Sequence, residues 1–348
     1  MKLSRRDFTV SLGAAGAAAL LTGRPVRAAD SAHSLALRLD WLPSGYQTPF
    51  YLAQEKGWYK AAGLDVKIDQ GNGSATTVNL VGAGQYDVGL CTLSTAAPAR
   101  RQGMPIISVA GFFRKGDLAL LVPVDSPIHA PKDCRGKHLV YTAGSMEAPF
   151  LDMWFAAGGL KRSDAQLVQV DASAKVPTYL LPTSDGVFTS TAFTVPVVMA
   201  RKPTRAITFA DFGMNMPGFG ILANDAALKA KGEAIAKFAS ITSGTWAYIL
   251  NGKHEDEAVE AILKARPNDR LEQQKDVLVG QLKASLPFLY TPASQKLPIG
   301  VQAQQDWADA INVLERAKVI TPGSKPDDYY TNKYLDLDLI KSVSAGKV

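Results

Sequence analysis

From Leu35 onward, short runs of apolar and β-branched residues alternate with longer stretches in which apolar side chains recur every three or four positions. Strand and helix in turn are the ingredients of a largely parallel sheet. The spacing predicts strands over residues 35–41, 64–68 and 86–90. A helix over 49–62 joins the first two, with Phe50, Leu52, Ala53, Trp58 and Tyr59 on its buried face and Gly63 as its stop. Gly71-Asn72-Gly73-Ser74 reads as a loop whose serine caps a helix running to Gly82, and a short helix over 92–101 follows the third strand. Residues 106–113 and 118–124 read as a consecutive pair of strands, and the proline-containing segment 125–131 as a linker into a second unit.

In that second unit the strand candidates are 138–141, 166–170, 186–189 and 207–212, with helices near 146–157 and 176–181. Residues 219–223 look like a strand returning to the first unit. The chain beyond Asp225 is helical in pattern, with packing helices over 234–251, 255–265, 272–285 and 303–317. The expectation is an α/β protein of two lobes joined by two crossings: residues 29–124 plus 222–348 in lobe 1 and 125–221 in lobe 2. In such an architecture the loops at the carboxyl ends of parallel strands, and the N–H groups of the helices that follow, point into the crevice between the lobes, where hinge closure can bury a small solute.

The first residues change the setting. Ser4-Arg5-Arg6-Asp7-Phe8, a short Gly/Ala-rich apolar run and Val26-Arg27-Ala28 read as a twin-arginine export signal over residues 1–28, cleaved near Ala28. The mature chain is then expected in the periplasm, without stable membrane insertion. Of the 38 basic and 32 acidic residues, the signal holds five and one, so 33 and 31 remain; the basicity belongs largely to the leader, and the footprint of a nucleic-acid binder is missing. About 320 mature residues exceed what one hydrophobic core usually organises. Cys91 and Cys134 each sit in or beside an apolar segment, as buried free thiols do. His33, His129, His138 and His254 show no ligand spacing, so neither a metal nor a cofactor is expected.

Leu39-Asp40-Trp41-Leu42-Pro43-Ser44-Gly45, Phe50-Tyr51-Leu52-Ala53, Glu55-Lys56-Gly57-Trp58-Tyr59 and Ala62-Gly63-Leu64-Asp65-Val66 closely resemble the start of the nitrate, sulfonate, taurine and thiamine-pyrimidine family of periplasmic solute-binding proteins (SsuA/NMT1-like). Gly84-Gln85-Tyr86-Asp87-Val88-Gly89 and Lys132-Asp133-Cys134-Arg135-Gly136-Lys137 extend the resemblance over most of the mature chain. It implies a type II periplasmic-binding fold and a monomeric receptor, not an enzyme, that delivers a small-molecule solute to a cognate ABC permease in the inner membrane. The Asp-Trp pair looks most like the pyrimidine-binding branch, although Ser44-Gly45-Tyr46-Gln47-Thr48 stands where that branch has an Asn and a His. Alternatives are a binder of sulfonate, taurine or nitrate anions, a signalling sensor, and a pyrimidine-synthase-like enzyme on the same fold; such synthases are associated with a cysteine-rich motif and a catalytic histidine, neither of which this chain matches.

The candidate ligand residues follow from these loops. Asp40 would accept hydrogen bonds from a ring amino group stacked over Trp41 or Tyr46, with Gln47 adjacent; the competing roles are orienting a turn and packing. Asn72 and Ser74 lie on the second loop, and Thr92 and Ser94 lie where the third strand gives way to helix, as ligand donors or caps. In lobe 2, Gly144, Ser145 and Glu147 join a strand to a helix, with Glu147 either in the cleft or complementing the helix dipole. Asp185, Thr189 and Asn215 sit on later loops.

Overall fold

The computed structural model describes residues 34–348; the export signal read over residues 1–28 lies outside the described residues. Ten strands form two five-stranded sheets. The first takes β1 (Ser34–Arg38), β2 (Asp65–Asp69), β3 (Val88–Thr92), β4 (Ile106–Gly111) and β10 (Phe219–Asn224) in the order β2-β1-β3-β10-β4. The second takes β5 (Leu118–Pro123), β6 (His138–Tyr141), β7 (Gln166–Gln169), β8 (Gly186–Ser190) and β9 (Thr204–Thr208) in the order β7-β6-β8-β5-β9. Within each sheet the βαβ strands run parallel, while β10 and β5 enter antiparallel to their neighbours.

The burial pattern explains the sequence pattern. Strand β1, next to the edge strand β2, alternates, with Leu35 and Leu37 inside, whereas β3, β8 and β10 are buried at every position. The expected helix over 49–62 is two, Thr48–Glu55 and Trp58–Ala61, because Gly57 adopts φ +72°, a left-handed turn that ends the first. A helix over Thr191–Val198 is not legible in the pattern: five of its eight residues are β-branched Thr or Val, and Pro196 lies inside it. The expected strand 207–212 is displaced, β9 ending at Thr208 and a 3₁₀ turn, Ala210–Phe212, occupying the rest.

The lobe boundaries also need correction. Residues 118–124 were grouped with lobe 1, yet β5 pairs with β8 and β9 of the second sheet, so the chain crosses at residues 112–117 and not at 125–131. It returns at 209–218, with β10 starting at Phe219. The two crossings lie side by side: the Phe112 and Phe113 N–H groups donate to the Phe219 carbonyl at 2.8 and 2.9 Å, and the Gly218 N–H donates to the Phe113 carbonyl at 2.8 Å. Two consecutive apolar runs, Ile106–Gly111 and Leu118–Pro123, carry no sign in their sequence of which sheet each joins.

The lobes are closed on one another. The Thr76 N–H donates to the Gly144 carbonyl at 3.1 Å across the cleft, and Gln281 bridges the lobes by accepting from the Gly45 N–H at 2.8 Å and donating to the Phe193 carbonyl at 2.9 Å. Gly73 is required at the rim: its φ is +152°, and a Cβ there would stand 1.9 Å from the Gly144 oxygen. Gly73→Ala is therefore expected to hold the lobes apart and to cost about 1–3 kcal/mol of backbone strain in the closed form. Small-angle scattering should give a larger radius of gyration than for the native chain; an unchanged radius would refute the rim contact.

Candidate functional site

A cavity lies between the lobes at the carboxyl ends of β1, β6 and β8, where the parallel strands of open sheets present their loops. Lobe 1 contributes Asp40, Trp41, Tyr46, Ser74 and Phe219; lobe 2 contributes Ser145, Met146, Glu147, Lys175, Thr189, Ser190 and Phe193.

Asp40, two residues past β1, is only 3% exposed. Its carboxylate accepts the Tyr46 hydroxyl at 2.7 Å and the Gln47 side-chain amide at 2.9 Å. Its backbone carbonyl receives the Gly73 N–H at 2.7 Å, which fixes the second loop against the first. Burial pushes the Asp40 carboxyl up to about 7, against the opposing pull of those two hydrogen bonds. Tyr46 in turn stacks on Phe219, ring centres 4.8 Å apart. Ser74 does not cap its helix, Ser74–Gly82, whose N-cap is Gly73; its Oγ instead accepts the Thr92 N–H at 3.1 Å.

Opposite stands a buried ion pair. Lys175, 3% exposed, donates to Glu147 Oε1 at 2.5 Å and to Ser145 Oγ at 3.2 Å, and its ammonium lies 5.0 Å from the centre of the Trp41 ring. Glu147 Oε1 also receives the Thr142 N–H at 3.0 Å, while Oε2 has no hydrogen-bond partner among the described residues. Glu147 therefore anchors Lys175 and its own loop, with no side-chain cap on the 3₁₀ turn behind it. Burial lowers the Lys175 ammonium from its ordinary value, with Glu147 opposing that shift. Phe193 meets Trp41 edge to face, 6.3 Å between centres, and Thr189 shares a 2.7 Å hydrogen bond with Thr194.

Seven of the residues expected from sequence come together here: Asp40, Trp41, Tyr46, Ser74, Ser145, Glu147 and Thr189. Gln47 stands behind Asp40 as its donor, and Gly144 forms the rim. Asn72 faces outward, accepting from Arg38 at 3.5 Å. Asp185 precedes β8, at the end of the sheet away from the cleft, where it accepts the His138 N–H at 2.8 Å. Asn215 accepts from the Gly116 N–H at 3.5 Å within the second crossing. Thr92 and Ser94 line a different cavity. Met146, Lys175, Ser190, Phe193 and Phe219 were missed. Lys175 is a lone cation in the apolar helix Ala172–Leu180, whose start was placed too late to bring it in, and Phe193 was lost with its helix.

The thiols are buried and unpaired, Cys91 on β3 and Cys134 in the turn before β6. Among the described residues no group of histidine, cysteine and acidic side chains could hold a metal ion, and no helix is long and apolar enough to cross a membrane.

A two-lobed α/β molecule with parallel-strand loops closing on a buried polar cavity has the periplasmic-binding-protein fold. The family model described as "NMT1/THI5 like" matches residues 44–258, and the chain belongs to that family. It is 35% identical over 80 residues to the 4-amino-5-hydroxymethyl-2-methylpyrimidine phosphate synthase THI11 of Saccharomyces cerevisiae, a match covering 23% of this chain and only 24% of that relative. Its likeness to the formylaminopyrimidine-binding protein of Halalkalibacterium halodurans is weaker in identity, 21%, but spans 82% of this chain and 86% of the relative. Among solved structures, the periplasmic nitrate-binding protein NrtA of Synechocystis superposes with a TM-score of 0.61 at 12% identity, covering 90% of this chain and 89% of that one.

Two predictions follow from the buried charges. Lys175→Met would leave Glu147 buried without its counter-ion and should cost about 3–5 kcal/mol of stability, while the double change Lys175→Met with Glu147→Gln should recover most of it; equal losses in urea unfolding would contradict the pairing. Asp40, at about 7, and Asp117, pushed by burial to about 6, both lie above the ordinary 3.8 of an aspartate. Between pH 4 and 7 the folded chain thus holds protons that the unfolded chain has released, so stability falls as pH rises through that window. A melting temperature that rises from pH 5 to pH 7.5 without added solute would contradict this.

Proposed function

We propose that the chain is the periplasmic receptor of an ABC importer, closing on one small nitrogenous aromatic solute, neutral or cationic, of the thiamine-precursor pyrimidine type, and performing no chemistry on it. The observation that carries this reading is the charge inventory of the cavity: two carboxylates, Asp40 and Glu147, against one ammonium that Glu147 already engages. A sulfonate or nitrate needs several converging donors. Of the lining hydroxyls, Ser190 is already given to Asp117 and Ser145 to the Thr142 carbonyl. A ring bearing an amino group supplies what the walls lack, an N–H donor for Glu147 Oε2 and for the remaining lone pairs of Asp40, with a flat face for Trp41 and Phe193.

The formylaminopyrimidine-binding relative, matched over most of its length, supports the ligand class. The receptor reading is favoured over a synthase because no cysteine or histidine is among the described residues that line the cavity. Export and a permease partner rest on the N-terminal signal and on the periplasmic relatives.

A thermal-shift panel tests the class. 4-Amino-5-hydroxymethyl-2-methylpyrimidine should raise the melting temperature, whereas taurine, an alkanesulfonate and nitrate should not; stabilisation by the anions alone overturns the proposal. In calorimetry, Asp40→Asn should weaken pyrimidine binding by roughly 1.5–3 kcal/mol, the scale of a hydrogen bond to a charged group, or about 10- to 150-fold in Kd. Because the ionised carboxylate is the better acceptor, affinity should increase as pH rises through about 7 in the native chain and lose that dependence in the variant.

A further inference from the structure

Helix Lys275–Ala284 belongs to the part of the chain that has returned to lobe 1, yet it packs on both sides of the cleft: on the turn Gly45–Gln47 of lobe 1 and on helix Thr191–Val198 of lobe 2. Its Gln281 is buried and uses both ends of its amide at that junction. The oxygen accepts the Gly45 N–H at 2.8 Å, and the nitrogen donates to the Phe193 carbonyl at 2.9 Å. Both partners lead into the solute site. Gly45 precedes Tyr46 and Gln47, the two donors to Asp40, and Phe193 lines the cavity, edge to face with Trp41. Each contact is made close by a glycine. A Cβ on Gly45 would stand 1.9 Å from the Leu278 carbonyl oxygen, so the turn lies directly on the helix backbone; a Cβ on Gly280 would stand 3.2 Å from the Pro196 side chain of the lobe 2 helix. Glycine is the poorest helix former after proline, and the close approach to Pro196 gives Gly280 its reason in mid-helix.

We infer that Gln281 is a positioning residue of the solute site and that its helix is a strap holding the two walls shut. One side chain can satisfy the Gly45 N–H and the Phe193 carbonyl together only while the lobes are closed. An apolar side chain at position 281 would leave both groups buried and unpaired in the closed form, whereas parting the lobes lets water reach them. The penalty therefore falls on the closed form alone and shifts the two-state equilibrium toward opening. A held solute leaves only through the open form, and an arriving one enters through it, so Gln281 sets how long the solute stays and not how fast it arrives. That last step rests on the receptor reading above; the strap itself is a statement about the two lobes and stands apart from the identity of the solute.

The test follows 4-amino-5-hydroxymethyl-2-methylpyrimidine on the mature chain by stopped-flow tryptophan fluorescence, with small-angle scattering of the same chains without added solute. Gln281→Met should speed dissociation about tenfold, the scale of leaving buried hydrogen-bonding groups unpaired, without slowing association, and should enlarge the radius of gyration. Gly280→Leu, which wedges the helix off Pro196 while leaving every hydrogen-bonding group in place, should act in the same direction. Native dissociation rates and a native radius in both variants would overturn the strap while leaving the receptor reading intact. A smaller binding-competent fraction that still releases the pyrimidine at the native rate would make Gln281 a folding residue only, and would overturn it equally. If the pyrimidine binds none of the three chains, the solute assignment falls, and the scattering alone decides the strap: equal radii overturn it and larger radii in the variants support it.

Discussion

Burial of the Asp40 carboxylate is the constraint on which the site depends. A charge taken out of water must be compensated on the spot, and here the compensation comes from Tyr46 and Gln47, six and seven residues further along the same chain. That requirement fixes the loop after β1. Because Tyr46 also stacks on Phe219, it ties the loop to the strand that returns from lobe 2. The polar end of the cleft is therefore built into the junction between the lobes, and its cost is borne by a packed aromatic cluster in which Phe113 stands edge-on to Phe219, 5.3 Å between centres.

Across the cleft the logic is repeated with opposite charge. Lys175 and Glu147 are both withdrawn from solvent, and each makes the other tolerable. The ammonium is also laid over Trp41, so the indole is approached by a cation from one lobe and edge-on by Phe193. The cavity is lined by polar groups of both lobes and by the rings of Trp41, Tyr46, Phe193 and Phe219.

Much of this was legible in the sequence, and the failures are physical. The strand-helix alternation follows from burial of central parallel strands on both faces, so β3, β6 and β8 were located to within about two residues. Asp40, Trp41, Ser145 and Glu147 were legible because they sit in loops immediately after strands, where local order implies position. Lys175, Phe193 and Phe219 were not, because their arrival at the cavity depends on which face of a helix packs inward or on where a returning strand begins. The helix Thr191–Val198 is held by Asp117 and Ser190 at its start, a tertiary device that overrides its residues' weak intrinsic preference. The lobe boundary is hidden for the same reason: two consecutive apolar strands look alike, and only the pairing of β5 with β8 and β9 assigns it to the other sheet.

The Phe219 carbonyl, bonded by two successive N–H groups of the opposite crossing, belongs to the residue on whose ring Tyr46 stacks. A pivot so near the pocket floor gives its contents a short lever arm. Rotation of one half of the molecule about that point would sweep the Gly73 and Gly144 mouth through a wide arc while scarcely displacing the floor. The acidic floor would then stay assembled in the open form, and an arriving molecule would be anchored there before the mouth shuts over it.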